Sequence, residues 1–137
     1  MLLQENTKQI GAVARISGVP IKTIRYYEEL GLLKASGRTE GGFRLFDSDV
    51  FSRLHFIKRA QSLGLSLSEI KDFLAVHDQG NLPCNDIKAR LQNKVIAIDK
   101  QIQELLMFKQ ELEELLSGWE AVTDNSQQTI CPIIEKN

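Results

Sequence analysis

Cysteine is nearly absent from this chain. Its 137 residues hold two, Cys84 and Cys131, too few for the disulfide framework of a small secreted domain. No apolar run approaches the roughly 20 residues that a membrane-spanning helix needs. The opening MLLQENTKQ lacks the basic start and long apolar core of a secretory signal, so the sequence predicts a cytoplasmic protein without a membrane span. Internal repeats and low-complexity tracts are missing too. No nucleophile–base pair, glycine-rich phosphate loop or paired-carboxylate motif stands out, and an enzyme is not expected.

Net charge is also lacking, at −1 for the whole chain. Divided, the picture changes. Residues 1–75 carry 11 Lys and Arg against 8 Asp and Glu, whereas residues 76–137 carry 6 against 10. Within 8–59 the balance is 10 against 5. A local basic face can attract DNA while the remainder of the chain repels it.

The stretch from Ile10 to Phe46 carries the most information. Ile10, Val13, Ala14 and Ile16 recur at helical spacing until Ser17-Gly18 breaks the pattern, and Thr7 is the expected first cap. A second helical phase follows through Ile21, Ile24, Tyr27 and Leu30, with Gly31 as its stop. Two short amphipathic helices around a glycine-bearing turn are the pattern of a helix-turn-helix. The other face of the second helix carries Lys22, Thr23, Arg25 and Tyr26. That face suits a major groove, because Lys and Arg neutralise phosphates and Arg can fork onto a guanine edge. Arg38 to Phe46 then reads as a two-stranded ribbon turning at Glu40-Gly41-Gly42, a wing.

Beyond the wing, Asp47-Ser48 is expected to cap a helix to about Leu63, with Val50, Phe51, Leu54, Ile57 and Ala60 as its apolar stripe. Arg53, Lys58 and Arg59 lie off that stripe. Ser66 or Ser68 opens a further helix, with Glu69 in its first turn and Ile70, Phe73 and Leu74 facing inward. The cluster DQGNLP at 78–83 marks a boundary. From Cys84 to Ser117 no breaker interrupts a helical pattern in which Leu91, Val95, Ile98, Ile102, Leu105, Leu112 and Leu116 step by 4, 3, 4, 3, 7 and 4. So narrow and sustained a stripe needs a partner surface, and its period is that of a coiled-coil seam; an antiparallel homodimer is expected through it, the other reading being a helix folded back on its own domain. The predicted architecture is mainly α. Residues 1–8 form a leader, 9–78 a winged helix-turn-helix DNA-binding domain, 84–117 a long antiparallel coiled-coil dimerisation helix, and 118–137 a loop and closing segment.

The runs IGAVARISGVPIKTIRYYEELGLL, RTEGGFRLFD and FIKRAQSLGLSLSEIKDFL, followed by the long helix, resemble the MerR family of bacterial transcriptional regulators. The resemblance covers residues 9–117. It implies a dimer seated on the overlong spacer of a promoter, which distorts that double-stranded DNA so that RNA polymerase engages both hexamers. Position by position, it implies DNA contacts from Lys22, Thr23, Arg25 and Tyr27 on the recognition helix, from Phe43 and Arg44 at the wing, and from Lys58 and Arg59 after it; Tyr26 is added to these from its place on the exposed face of the same helix. For Tyr27 a place in the core beside Ile24 and Leu30 is the other reading. Two positions depart from the family's pattern: Phe43 stands where Tyr is usual, and Gln61 where a basic residue is frequent.

Pro83-Cys84 and Cys131-Pro132-Ile133 resemble the metal-responsive branch of the family. The resemblance implies that Cys84 of one subunit and Cys131 of the other bind a thiophilic metal ion as effector. Sulfur in the first turn of a helix meets the positive end of its dipole, which suits an anionic metal ligand. A further cysteine usual in that branch, near Ser117 to Val122, is missing here. Two thiolates suffice for a linear soft ion such as Hg(II) or Cu(I), whereas Zn(II) takes about four ligands. Glu120, Asp124 or His77 could complete a harder site, and the spacing selects none of them. The alternative signal is oxidation or modification of the two thiols.

Overall fold

The computed structural model describes residues 7–119 and 128–135. The chain divides into two compact units, Met1–Ile87 and Lys88–Asn137. In the first, β1 (Lys8–Gln9) leads into α1 (Ile10–Ser17) and α2 (Ile21–Glu29). The wing strands β2 (Gly37–Arg38) and β3 (Arg44–Phe46) follow, then α3 (Asp49–Ser62) and α4 (Leu67–Asp78). The long helix α5 spans Cys84–Ser117, and a single turn, α6, spans Pro132–Glu135.

Gly18 makes the sharp turn of the helix-turn-helix. Its φ of +76° is a left-handed conformation that side chains disfavour, and its N–H closes on the Ala14 carbonyl at 2.9 Å. Gly42 does the same for the wing at φ +85°, while the Thr39 N–H donates to the Phe43 carbonyl at 2.8 Å. The Thr39 hydroxyl accepts from the Phe43 N–H at 3.1 Å and braces the same turn.

The sheet has one strand more than the expected ribbon. β3 lies in the middle, antiparallel to β2 on one side and to β1 on the other, with Lys8 opposite Phe46 and Gln9 opposite Leu45. Lys8 therefore belongs to the sheet and not to a leader, and α1 starts from Gln9, with no side-chain cap, in place of Thr7. Pairing with β3 supplies the backbone hydrogen bonds of this two-residue segment, which has no amphipathic pattern of its own.

The core of this unit gathers Val13, Ile24, Leu32, Phe46, Leu54, Ile57 and Ile70, each at most 1% exposed. Of the α3 stripe, Val50, Leu54, Ile57 and Ala60 are buried as their spacing requires, and Phe51 at its margin is half-buried. Its start differs from expectation, because the Ser48 side chain makes no capping bond. The first turn is tied instead by the N–H of Val50 donating to the Asp47 carbonyl at 3.1 Å. In α4 the cap is Ser66: its hydroxyl accepts from the Glu69 N–H and the Glu69 carboxylate accepts from the Ser66 N–H, both at 3.1 Å. Such a reciprocal cap contributes about 1 kcal/mol.

The 34 residues of α5 make a rod of roughly 50 Å. None of its residues is buried within the chain, and Val95, Ile98, Ile102, Leu105, Leu112 and Leu116 are all exposed. Among the described residues no helix is long and apolar enough to cross a membrane.

Candidate nucleic-acid interface and thiol sites

The recognition helix α2 is amphipathic in the expected sense. Ile24 and Tyr27 face the core, while Lys22, Arg25 and Tyr26 are exposed and Thr23 is half-buried. Tyr26 is 49% exposed and Tyr27 only 6%. The Tyr27 hydroxyl donates to Oε1 of Gln61 on α3 at 2.9 Å, and burial raises its pKa above the ordinary tyrosine value. Tyr27 thus stands in the packed interface between α2 and α3, apart from the exposed row of Lys22, Arg25 and Tyr26.

At the wing, Phe43 is 64% exposed, an unusual position for an aromatic ring. Arg44 reaches back to the recognition helix, its Nε lying 3.0 Å from Oε1 of Glu28. Arg25, Phe43 and Arg44 line one shallow groove of about 120 Å³, together with Gln9, Ile10 and Gly42. Recognition helix and wing therefore present two arginines and an aromatic ring at one place. Glu28 and Gln9 were not among the residues singled out from sequence, and only the tertiary pairing reveals them.

Lys58 and Arg59 are exposed on α3. With His55, Ile16 and Ser17 at the end of α1, and Val19 in the turn, they border a second, open groove of about 560 Å³. Ile16, expected within the apolar stripe of α1, is exposed at this groove, because Val13 already fills the place under α1. Arg53 behaves differently from its basic neighbours. Its guanidinium donates to the Leu32 carbonyl from Nε at 3.1 Å and from Nη2 at 2.8 Å, and it pairs with Asp78 at 2.6 Å. It is a structural anchor.

Cys84 and Cys131 are both free thiols. Cys84 is exposed at the first residue of α5 and borders, with His77, Phe56, Phe73, Leu82 and Ile87, a mostly apolar hollow of about 280 Å³. Cys131 is half-buried just before α6, where its N–H and that of Ile130 both donate to Oε2 of Glu135, at 2.8 and 3.0 Å. Cys84 belongs to the first unit and Cys131 to the second. Among the described residues no three His, Cys, Asp or Glu side chains gather to hold a metal ion. Glu120 and Asp124 lie outside the described residues. Each cysteine offers a sulfur, a soft donor that suits a thiophilic ion.

A basic recognition helix seated against a wing defines a winged helix-turn-helix DNA-binding protein. The chain belongs to the MerR family of transcriptional regulators. The family model for the MerR HTH family regulatory protein matches residues 9–76, and that for MerR, DNA binding, matches residues 51–115. The mercuric resistance operon regulatory protein of Bacillus cereus is 39% identical over 127 residues, which cover 93% of this chain and 94% of that protein. Among solved structures, the transcription regulator PbrR691 from Ralstonia metallidurans CH34, in complex with lead(II), matches with a TM-score of 0.70 at 30% identity, over 87% of this chain and 93% of that one. HiNmlR, a MerR family regulator lacking the sensor domain and bound to promoter DNA, matches with a TM-score of 0.53 at 28% identity, over 81% and 88% of the two chains.

Proposed function

We propose that this protein is a metal-responsive transcriptional regulator. It binds double-stranded promoter DNA as a homodimer, and a thiophilic metal ion makes it distort the spacer so that RNA polymerase engages the promoter. The observation that supports the DNA-binding part is the shared groove of Arg25, Phe43 and Arg44, at which helix and wing converge. Lys22, Thr23 and Tyr26 extend this face along α2, and Lys58 and Arg59 extend it along α3.

The exposed apolar row of α5 supports the dimer, since a helix of this length with no covered face requires a partner of matching period. A second copy, antiparallel, supplies it. Two heads held at a fixed separation can then grip phosphates on either side of a dyad and strain the DNA between them.

Cys84 and Cys131 would hold the ion, one from each subunit. Bound there, the metal crosslinks the start of one α5 to the closing segment of the other chain. Similarity to a mercuric and a lead(II)-bound regulator supports a soft, heavy ion over a hard one. The exposure of Cys84 also favours a second reading, in which oxidation of the thiols is the signal.

Base-unstacking footprints of a selected operator test the mechanism. Metal addition is expected to create reactivity at the centre of the site in the wild type and not in Cys84→Ser. Reactivity at the centre that ignores metal but follows oxidation would favour the second reading. An operator bound without any central reactivity in either state would refute the distortion mechanism.

A further inference from the structure

Glu28 is out of place on a helix meant for DNA. It lies one turn beyond Arg25, and a carboxylate close to phosphates costs binding energy by repulsion alone. Yet it is held inward, with its side chain 18% exposed, by the 3.0 Å pair from its Oε1 to Nε of Arg44, whose own side chain is 42% exposed. So open a pair adds little to the stability of the fold. Its geometry is more informative. The closest approach is from Nε, and among the described residues neither Nη group of Arg44 makes a hydrogen bond. They carry four of the five N–H donors of a guanidinium, and such donors match phosphate oxygens. The same side chain borders the groove that it shares with Arg25.

We propose that Glu28 is a positioning residue for DNA binding. It fixes the Arg44 guanidinium by its inner nitrogen, so that the Nη groups and Arg25 face one backbone phosphate and the wing is locked to the recognition helix. The pair persists in the complex, with Nε on Glu28 and Nη on the phosphate. This inference rests on the DNA-binding reading of the same face. The opposite role, a competitor that phosphate displaces, has the opposite sign in binding.

Anisotropy titrations of the full-length protein with a duplex operator selected from random-sequence DNA separate these roles. Glu28→Ala removes a negative charge, so charge balance alone would tighten binding. Loss of positioning is expected to weaken it about tenfold, within the range of pairwise couplings. In an Arg44→Ala background the same substitution is expected to cost nothing. Glu28→Gln keeps an oxygen that can accept from Nε and is expected to recover part of the loss. Thermal melts of each variant identify any failure to fold, and the Gln variant keeps the test open if the Ala variant melts early. Unchanged or tighter binding by Glu28→Ala, or an equal loss with and without Arg44, would overturn the proposal. If Arg44→Ala itself binds as wild type does, with an unchanged salt slope, the assignment of Arg44 to the DNA face fails first.

Discussion

The hydroxyl of Tyr27 donates to Oε1 of Gln61 across 2.9 Å, tying the recognition helix α2 to α3. The bond fixes the orientation of the recognition helix from behind, through a ring that is almost wholly buried. Tyr27→Phe keeps the ring and removes the bond. It is expected to lower stability by about 0.5–1.5 kcal/mol in urea melts while operator affinity stays within about twofold of wild type. A large loss of affinity without loss of stability would instead make Tyr27 a direct DNA contact.

The same residue sets an alkaline limit. Burial raises the Tyr27 pKa from its ordinary value of 10.0, so the folded state holds the proton more tightly than the unfolded chain. The stability this confers is complete below about pH 10 and is lost as the pH rises through the higher folded-state value. Chemical denaturation from pH 8 to 11 is expected to show a steeper fall for wild type than for Tyr27→Phe. Parallel curves would remove Tyr27 as the cause.

At the DNA face, each phosphate-neutralising cation should contribute its share of the salt dependence. Lys58→Ala and Arg59→Ala are each expected to weaken binding on all sequences alike and to reduce the slope of log affinity against log salt by about 1. Arg25→Ala should also relax sequence preference, at a cost of about 1–3 kcal/mol if it forks onto a guanine. Competition titrations over several salt concentrations measure both, and an unchanged slope takes the residue off the contact surface.

Arg53 is expected to matter for the fold and not for DNA. Its side chain, 14% exposed, joins the Leu32 carbonyl to the carboxylate of Asp78 at the end of α4. Arg53→Ala should cost about 1–3 kcal/mol in urea denaturation. Asp78→Ala, at a carboxylate 54% exposed, should cost at most about 1 kcal/mol. Equal costs would mean that the carboxylate and not the carbonyl carries the interaction.

The seam on α5 makes its own demand. Ile98 is exposed in the single chain and lies midway along the apolar row. Ile98→Lys places a charge in the proposed dimer interface and is expected to give monomers in sedimentation velocity. A dimer that survives this change would place the interface elsewhere.

Much of the architecture was legible because local chemistry decides it. The limits of α5 follow from Pro83 before it and Gly118 after it. The start of α4 is marked by Ser66, Ser68 and Glu69, between whose serines the structure chooses Ser66, and Gly18 and Gly42 mark turns that need positive φ. What escaped depends on partners far along the chain. Lys8 and Gln9 form a strand only because Leu45 and Phe46 offer them an open edge. Tyr26 and Tyr27 are adjacent and alike in type, and only the packing of α2 on α3 separates an exposed ring from a buried one. Glu28 reads as one more surface charge until the wing brings Arg44 to it. At the thiol sites the sequence supplies two sulfurs at positions that match a known branch. In the proposed site the ligand set is completed by a partner chain, which the sequence of one chain does not display.

The most direct test of the central claim is native mass spectrometry of the reduced protein with Hg(II), Cu(I), Pb(II) and Zn(II), comparing wild type with Cys84→Ser and Cys131→Ser. The expected result is a dimer that takes up a soft ion and loses that uptake in either single variant, with Zn(II) held least. Wild type that takes up none of these ions, or uptake that survives both substitutions, would contradict a metal-responsive switch built on Cys84 and Cys131.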